Sequence, residues 1–434
     1  MAGLPLCTAP FTSLIIDTHK GVRPCCTWDD LYFGNLRQDR LTDILQGEGW
    51  RRLREAHLHH EWPRGCINCR QREEQTGWSL RQSYLGREAS LQKADGCYFS
   101  PNWQAGLTYL ELNSSNLCNL ACLHCTGAFS SRWLHEERKL EREGVSFEGH
   151  GTGNQDGRRF QTHELHLPDA RLLLENLARL DLSFLETVNL KGGEPMLNRD
   201  VRVLMRSLHE QGLLPGVEIH VSTNGTCIQE ETLACLGHAR SVKIWLSVDG
   251  AGPVQEYIRH GKASIALVEE TIGRIARIGS AEFGLCTSVM PYNVFTLDRI
   301  LAWWESLHAR FPTRRFLGAR FTLMVTVPRH LSLGVLQDST RQGLIDFYRS
   351  RPLPSHPPDR PDAGWMAGLA RTVRSAFGGN RRDPYGDVIQ ALRQPYLGHE
   401  VHNRFVAYTR RMDACRGKRV LEAIPELRRE MVLL

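Results

Sequence analysis

Three cysteines after one predicted strand constrain this chain more than any other feature. Cys118, Cys122 and Cys125 directly follow the strand-like run 107–113, and no fourth cysteine comes close behind. Protein-bound iron–sulfur cubes usually take four cysteine thiolates, so three clustered thiolates leave one iron open for another ligand. Catalytic metals keep a free position in the same way. The spacing favours a metal centre with an open position, and a structural zinc site or three unrelated thiols remain the alternatives.

The motif also has a histidine, His124, directly before its last cysteine. In this it resembles the cluster motif of radical S-adenosylmethionine (SAM) enzymes. The resemblance implies that Cys118, Cys122 and Cys125 hold a 4Fe–4S cluster that binds SAM, with His124 in the cofactor site. It further implies reductive cleavage of SAM to a 5′-deoxyadenosyl radical, which abstracts hydrogen from a substrate. An external electron donor of the flavodoxin or ferredoxin type is implied as a partner.

A second group of cysteines lies within residues 1–86. Cys7 and Cys26 stand near the ends of a predicted hairpin, and Cys66 and Cys69 form a CxxC pair after a helix predicted over 35–54. The pattern resembles the twitch domain, a shortened relative of the SPASM domain, in the subgroup where it precedes the barrel. The resemblance implies an auxiliary 4Fe–4S cluster on these four thiols. Cys25 stays open as the alternative to Cys26, and so does a zinc site.

Strand-like and helix-like segments alternate over 105–327, which predicts an α/β domain with parallel strands. The candidate strands are 107–112, 187–190, 217–222, 242–248, 284–290 and 316–325. Six such units predict a partial (β/α)6 barrel, whose active site lies at the carboxyl ends of the strands. A glycine-rich segment at 143–166 is predicted to be a mobile loop, with a lid near the active site as the alternative. Residues 328–434, with a proline-rich stretch at 353–362, are predicted to form a mostly helical cap.

The second predicted strand is followed by Gly192, Gly193 and Glu194. Glycines let a backbone approach a ligand closely, and a carboxylate accepts hydrogen bonds from an ammonium group. By the family resemblance these three residues form the site for the amino group of SAM.

Polar residues also mark the ends of the third and fourth predicted strands. The resemblance puts Ser222 and Asn224 at the cofactor, Ser247 near its ribose and Arg259 near its carboxylate, which a guanidinium can bind bidentately. Simple turn chemistry around Asn224 and an exposed helical position for Arg259 are the alternatives. Asp249 is predicted to cap the next helix.

The composition of the chain limits the class of protein and the cellular compartment in which these motifs are expected. The chain has 434 residues, thirteen cysteines and a formal net charge of +6, without a signal peptide or an apolar run of 18 residues. This usage of cysteine predicts metal ligation in a reducing cytoplasm and no membrane partner. No nucleic-acid-binding motif is evident.

The substrate is predicted only by class, as a small molecule such as a sugar or a peptide. No recognisable leader-binding domain precedes the cysteines, which favours a non-peptide or separately delivered substrate. The alternative function is a zinc-binding interaction or nucleic-acid module fused to a nucleotide-binding α/β domain. That alternative leaves the glycine–glycine–glutamate motif and the three-cysteine set unexplained.

Overall fold

A computed structural model describes residues 6–88, 100, 102, 106–142, 169–319, 321–351 and 383–433. The predicted loop at 143–166, the proline-rich stretch at 353–362 and Cys97, an isolated thiol by its sequence, lie outside these residues. In the described part of the chain, no helix is long and apolar enough to cross a membrane.

Strands form one large sheet and two small ones. In chain order they are β1 Ser13–Ile16, β2 Gly21–Arg23, β3 Gly34–Asn35, β4 Tyr109–Asn113, β5 Ala121–Cys122, β6 Thr187–Lys191, β7 Glu218–Thr223, β8 Ser241–Ser247, β9 Arg259–His260, β10 Ala281–Cys286, β11 Ser288–Val289, β12 Arg315–Phe316 and β13 Leu323–Met324. The large sheet has the order β12-β10-β8-β7-β6-β4-β1-β2-β3, while β5 pairs with β9 and β11 pairs with β13.

Helices connect these strands and cover the sheet. They are α1 Ala9–Thr12, α2 Leu41–Gln46, α3 Glu48–Leu58, α4 Ile67–Thr76, α5 Leu80–Glu88, α6 Ser131–Arg142, α7 Ala170–Leu177, α8 Arg199–Glu210, α9 Glu230–Leu236, α10 Pro253–Ile258, α11 Ile265–Ile275, α12 Leu297–Arg310, α13 Asp338–Ser350, α14 Gly386–Leu392, α15 His399–Arg416 and α16 Val420–Ala423. The predicted α/β architecture with a helical C-terminal region is confirmed.

The two faces of the sheet differ in chemistry. Neighbouring strands run parallel from β4 to β12, namely β4, β6, β7, β8, β10 and β12. In their register, apolar side chains lie beside apolar ones and polar side chains beside polar ones. One row across five of these strands is apolar and fully buried, from Leu112 to Phe283. The neighbouring row is polar and consists of Glu111, Asn189, His220, Lys243 and Glu282. Because side chains alternate along a strand, these rows lie on opposite faces, and one face of the sheet is lined with polar groups.

The cysteine-bearing N-terminal part extends the large sheet. Strand β1 pairs in parallel with β4, and β2 and β3 continue antiparallel beyond it. The buried ammonium group of Lys20 donates to the carbonyl of Ser114 at 2.7 Å and pairs with Asp200 at 3.0 Å. A buried charge is tolerated when it is paired and hydrogen-bonded, so this contact joins the hairpin to the strand ends of the barrel. The division into parts at 1–86, 105–327 and 328–434 stays a prediction.

Two predicted elements are wrong in extent. The helix expected over 35–54 is split at Gly47, whose extended backbone ends α2 and starts α3. The sixth strand, expected over 316–325, is two short strands, of which β12 joins the large sheet and β13 pairs with β11. Apolar composition alone does not show where a chain leaves one sheet for another.

Candidate functional site

The three cysteines of the central motif lie together in the loop between β4 and α6. Cys118, Cys122 and Cys125 share one apolar cluster with Leu120 and Ala263. Burial and the nearby Cys122 raise the pKa of the Cys118 thiol to about 12. Burial and both other cysteines likewise raise the pKa of Cys125. The three thiols disfavour each other's ionisation, and a cationic metal cluster would stabilise their ionised form, so these residues fit an iron–sulfur cluster.

Strand β7 holds the cysteine loop through side-chain amides. Asn224 donates to the side-chain oxygen of Asn119 at 2.9 Å, and Asn119 donates to Thr226 at 2.8 Å. The Asn224 oxygen accepts from the Thr226 amide at 3.0 Å. Asn224, predicted at the cofactor, therefore positions the loop between Cys118 and Cys122. Asn119 and Thr226 were missed by the sequence analysis, because nothing in a single sequence pairs residues a hundred positions apart.

Helix α15 holds the same loop from the other side. The Tyr408 hydroxyl donates to the carbonyl of Leu123 at 3.0 Å, and Arg416 donates to that of Ala121 at 2.8 Å. Arg416 also pairs with Glu136 at 2.7 Å, and its side chain is only 3% exposed. The two carbonyls flank Cys122, so the C-terminal helix fixes the backbone on both sides of this cysteine.

The glycine–glycine–glutamate turn packs on the protein itself. Gly192 and Gly193 have φ of 82° and 49°, a region that favours glycine. A Cβ on Gly193 would lie 2.3 Å from the carbonyl oxygen of Leu117, one residue before Cys118. The Glu194 amide donates to that same carbonyl at 2.8 Å. The turn is thereby locked against the start of the cysteine loop.

The carboxylate of Glu194 is buried and hydrogen-bonded within the protein. It accepts from the Thr223 hydroxyl and the Asn224 amide, both at 2.7 Å, and from the Met196 amide at 3.0 Å. Burial raises the pKa of Glu194 to about 7, although these hydrogen bonds lower it in part. Its oxygens thus link the turn after β6 to the end of β7.

An arginine–aspartate pair lies beside the cysteines. Arg259 is buried; its Nε lies 2.7 Å from the Asp249 carboxylate, and its guanidinium lies 3.9 Å from the Cys122 sulfur. Burial opposes the charge, but Asp249 and the Cys122 thiolate outweigh it and raise the pKa of Arg259. The antiparallel pairing of β5 with β9 produces this contact by setting Cys122 opposite Arg259. The alternative of an exposed arginine is therefore wrong.

Asp249 does not cap the following helix. Its carboxylate accepts from the Ser288 amide at 2.8 Å, whereas the side chain of Gln255 accepts from the amides of Asp249 and Gly250. His124 lies 3.8 Å from the Asp249 carboxylate, and burial lowers the pKa of its imidazole to about 4. The predicted capping role is thus wrong, because the aspartate is directed toward the next strand and toward Arg259.

Further polar residues stand at the carboxyl ends of the strands. Ser247 and Cys286 are register partners at the ends of β8 and β10. Cys286 lies within electrostatic reach of Asp249, Arg259 and Lys191, which places it at the same end of the barrel. Ser222 is partly exposed near the end of β7. The structure therefore brings the predicted residues of the second to fourth strands to one edge of the sheet.

The N-terminal cysteines enclose a separate cavity. Cys7, Cys25, Cys66 and Cys69 line it together with Thr27, His57, Trp62, Gly65, Leu80, Arg81 and Tyr84. The Thr27 hydroxyl lies 3.5 Å from the sulfurs of both Cys25 and Cys69. Burial, followed by the charge of Cys25, raises the pKa of Cys7 and of Cys66. Four thiols around one small cavity are a donor set that fits a 4Fe–4S cluster.

Cys26 does not line this cavity. Burial and the charge of Glu111 raise the pKa of its thiol, and Lys191 lowers it in part. Cys26 packs on the same apolar cluster as Cys25 and Cys69, but Cys25 is the one that lines the cavity. The structure thus places Cys25 where the sequence predicted Cys26.

Within the described residues, no three His, Cys, Asp or Glu side chains converge to hold a single metal ion. A 4Fe–4S cube takes one ligand on each iron, so its thiolates surround a larger volume.

Known proteins resemble both parts of this arrangement. Residues 112–301 match the Radical SAM superfamily, and residues 7–70 match the iron-sulfur cluster-binding SPASM domain. The two matched ranges together span more than half of the chain. The chain therefore contains a radical SAM domain, and an iron–sulfur cluster-binding SPASM domain precedes it. Its cofactors are accordingly SAM, the 4Fe–4S cluster that binds it and an auxiliary 4Fe–4S cluster.

Individual relatives are distant. The mycofactocin maturase MftC of Mycobacterium ulcerans (strain Agy99) is 26% identical over 186 residues, which cover 43% of this chain and 41% of that protein. MftC of Mycolicibacterium smegmatis (strain ATCC 700084 / mc(2)155) is 24% identical over 185 residues, 43% of this chain and 38% of that protein. This chain thus matches about two fifths of the length of these relatives.

Among solved structures, this chain is similar to anSMEcpe with bound AdoMet, with a TM-score of 0.33 and 17% sequence identity. The match covers 56% of this chain and 60% of the anSMEcpe chain. Streptococcus suis SuiB bound to the precursor peptide SuiA has a TM-score of 0.28 at 12% identity, covering 55% of this chain and 53% of its own.

Proposed function

We propose that this chain is a maturation enzyme that cleaves SAM reductively and abstracts hydrogen from a peptide or small-molecule precursor. The observation that carries the proposal is the shared cluster of Cys118, Cys122 and Cys125 beside the Arg259–Asp249 pair. A separate four-cysteine cavity supports an auxiliary cluster. Similarity to maturases favours a precursor as the substrate.

The three thiolates would hold the cluster whose open iron binds SAM. When bound, SAM and its cluster supply one-electron cleavage of the sulfonium and a hydrogen-atom abstraction. The residues of the chain bind and orient, because in cofactor enzymes the protein supplies placement and electrostatics. The auxiliary cluster would be held by Cys7, Cys25, Cys66 and Cys69. In this ligand set, Cys25 takes the place that the sequence predicted for Cys26.

Arg259 would bind the carboxylate of SAM, as its buried charge beside Cys122 suits an anionic partner. Asp249 holds the guanidinium at 2.7 Å and so fixes its direction. Gly192 and Gly193 shape the turn for the amino group, and Ser247 stands at the strand end expected for the ribose. His124, Ser222 and Asn224 would also contact the cofactor, as the family resemblance implies.

The polar face of the sheet would hold the substrate. Tyr109, Glu111, Asn189 and Lys191 form one buried hydrogen-bonded group, in which Lys191 pairs with Glu111 at 3.1 Å. This group adjoins the N-terminal cysteines, because Tyr109 packs in one apolar cluster with Cys7 and Cys69. Helix α15 covers the cysteine loop through Tyr408 and Arg416 and so shields it from water.

The first experiment is anaerobic reconstitution followed by iron, sulfide and zinc analysis of wild type and a Cys118→Ala/Cys122→Ala/Cys125→Ala variant. We expect about eight irons in wild type and about four in the variant, since each cubane holds four. With dithionite as the reductant, 5′-deoxyadenosine should form only with wild type. Cys235→Ala, a buried thiol on α9, is the matched control and should behave as wild type.

Two results would overturn the proposal. Zinc in place of iron would favour an interaction module, and SAM cleavage that survives the triple substitution would show that the cysteine loop is not the reaction site.

A further inference from the structure

Part of the cysteine loop borders a groove at the surface. The groove has a volume of about 410 Å³ and is lined by Cys118, Asn119, Ser131, Arg132, His135 and Glu136. Cys118 and Cys125 are partly exposed, whereas Cys122 is buried. Of the three thiols, Cys118 lines the groove, so a molecule bound there would lie next to the cysteine loop.

The groove carries unpaired positive charge. Arg132 at the start of α6 and Lys262 just after β9 are exposed, and within the described ranges neither forms an ion pair. Lys262 adjoins the loop because the preceding Gly261 packs on Leu120, where a Cβ would lie 2.7 Å from its side chain. The acid lining the groove, Glu136, is neutralised by Arg416 at 2.7 Å.

Other cations surround the same patch. Burial, together with the charges of Arg416, Lys418 and Arg132, lowers the pKa of His260 to about 4. These three side chains therefore lie around one imidazole. Lys418 donates to the carbonyl of Glu256 at 2.6 Å, which holds its ammonium group near the patch.

We propose that the groove and its rim, formed by Arg132, His135, Lys262 and Lys418, are the docking surface for an acidic one-electron carrier protein. The inference rests on the proposed function, since reductive cleavage of SAM consumes one electron from outside the chain. Electron transfer between proteins slows steeply with the distance between redox centres, so the carrier must approach where the cysteine loop is nearest to solvent. Complementary charge steers association and sets orientation.

The transfer moves one electron and no atoms. The carrier, with a flavin or an iron–sulfur centre at an acidic surface, is oxidised by one electron, and the Cys118–Cys122–Cys125 site is reduced by one. Flavin and iron–sulfur carriers share this chemistry, and a comparison of the two distinguishes them.

The test uses the reconstituted enzyme and flavodoxin with its NADPH-dependent reductase as the probe. We compare wild type with Arg132→Glu/Lys262→Glu and measure 5′-deoxyadenosine formation driven by flavodoxin and, separately, by dithionite. With flavodoxin, we expect kcat/KM for the carrier to fall on the order of tenfold or more and its dependence on salt to flatten, because steering charges act through association. With dithionite, the rate should equal that of wild type. Ferredoxin replaces flavodoxin in a parallel series.

The matched control is Arg179→Glu/Arg277→Glu, two exposed arginines that precede β6 and β10 at the opposite end of the barrel. It changes net charge by the same amount and should leave both rates unchanged. Equal losses in the test and control variants, or no loss in either, would overturn the docking surface. Arg70→Glu changes an arginine next to the N-terminal cysteines. If it lowers the flavodoxin-driven rate while Arg132→Glu/Lys262→Glu does not, the carrier docks at the N-terminal cavity instead. If dithionite drives no SAM cleavage in wild type, the proposed function fails rather than the docking surface.

Discussion

The guanidinium of Arg416 donates a 2.8 Å hydrogen bond to the carbonyl of Ala121, the residue before Cys122. It pairs at the same time with Glu136 on α6 and lies 5.0 Å from the centre of the Trp133 ring. The last residue of α15 thus joins three elements around the cysteine loop. Nearly three hundred positions separate Arg416 from Ala121, so the C-terminal region reaches the cysteine loop only through the fold.

Arg416→Met should therefore destabilise the protein and weaken retention of the cluster. Removing one partner of a buried ion pair costs about 3–5 kcal/mol, because the remaining charge stays buried without compensation. Thermal unfolding and iron content after gel filtration measure both effects. Arg404→Met, in an exposed pair with Glu400 on the same helix, is the control and should cost less than about 1 kcal/mol. Equal effects of the two substitutions would contradict the role of Arg416.

The two adjacent N-terminal cysteines should differ in their effect on iron. Cys25 lines the cavity with Cys7, Cys66 and Cys69, whereas Cys26 does not. We expect Cys25→Ala to lose about four irons per chain and Cys26→Ala to keep the full number, since one cubane holds four. Iron and sulfide analysis after anaerobic reconstitution is the measurement. The opposite pattern would return the ligand role to Cys26.

Gly193→Ala should disrupt the turn that contacts the cysteine loop. The added Cβ would lie 2.3 Å from the Leu117 carbonyl oxygen in a backbone with φ of 49°. We expect a loss of roughly 2–3 kcal/mol in the free energy of unfolding, from strain and displacement of the loop. Denaturant titration measures it. Gly279→Ala has open space around its Cβ and should unfold like wild type. If the free energy of unfolding of Gly193→Ala equals that of wild type, the turn can shift freely.

The polar row of the sheet should give the protein a defined pH response. Burial raises the pKa of Glu218, but the hydrogen bond and charge of His220 and the charge of Lys243 outweigh it and hold the pKa well below its usual value of 4.5. A lowered folded-state pKa contributes stability above about pH 4.5, and this contribution is lost as the pH falls below it. Glu218→Gln should therefore cost on the order of 2 kcal/mol at pH 7.5 and progressively less toward pH 4.

Urea unfolding of wild type and Glu218→Gln at the two pH values measures this difference. Glu270→Gln, at an exposed position on α11, is the control and should show no pH-dependent difference. A cost for Glu218→Gln that stays constant between pH 7.5 and pH 4 would show that the carboxylate charge is not what stabilises the row.

Local patterns in the sequence predicted much of this centre. The cysteine spacing, the glycine pair and the strand ends are short-range features, and the parallel sheet brings them to one edge as expected. Contacts between distant segments were not predictable. Asn119 with Asn224 and Tyr408 with Leu123 depend on backbones that meet only after folding. The sequence also could not show which of Cys25 and Cys26 faces the cavity, because the chain turns at these two residues and the path of the turn depends on what packs around it.

The sequence by itself determined the class of chemistry and the order of the parts, because ligand spacing and alternating apolar segments are properties of neighbouring residues. Only the tertiary structure decided that the N-terminal hairpin continues the barrel sheet, that Arg259 is buried against Asp249 and Cys122, and that α15 holds the cysteine loop. These outcomes depend on which distant surfaces bury each other, and burial is a property of the packed chain as a whole.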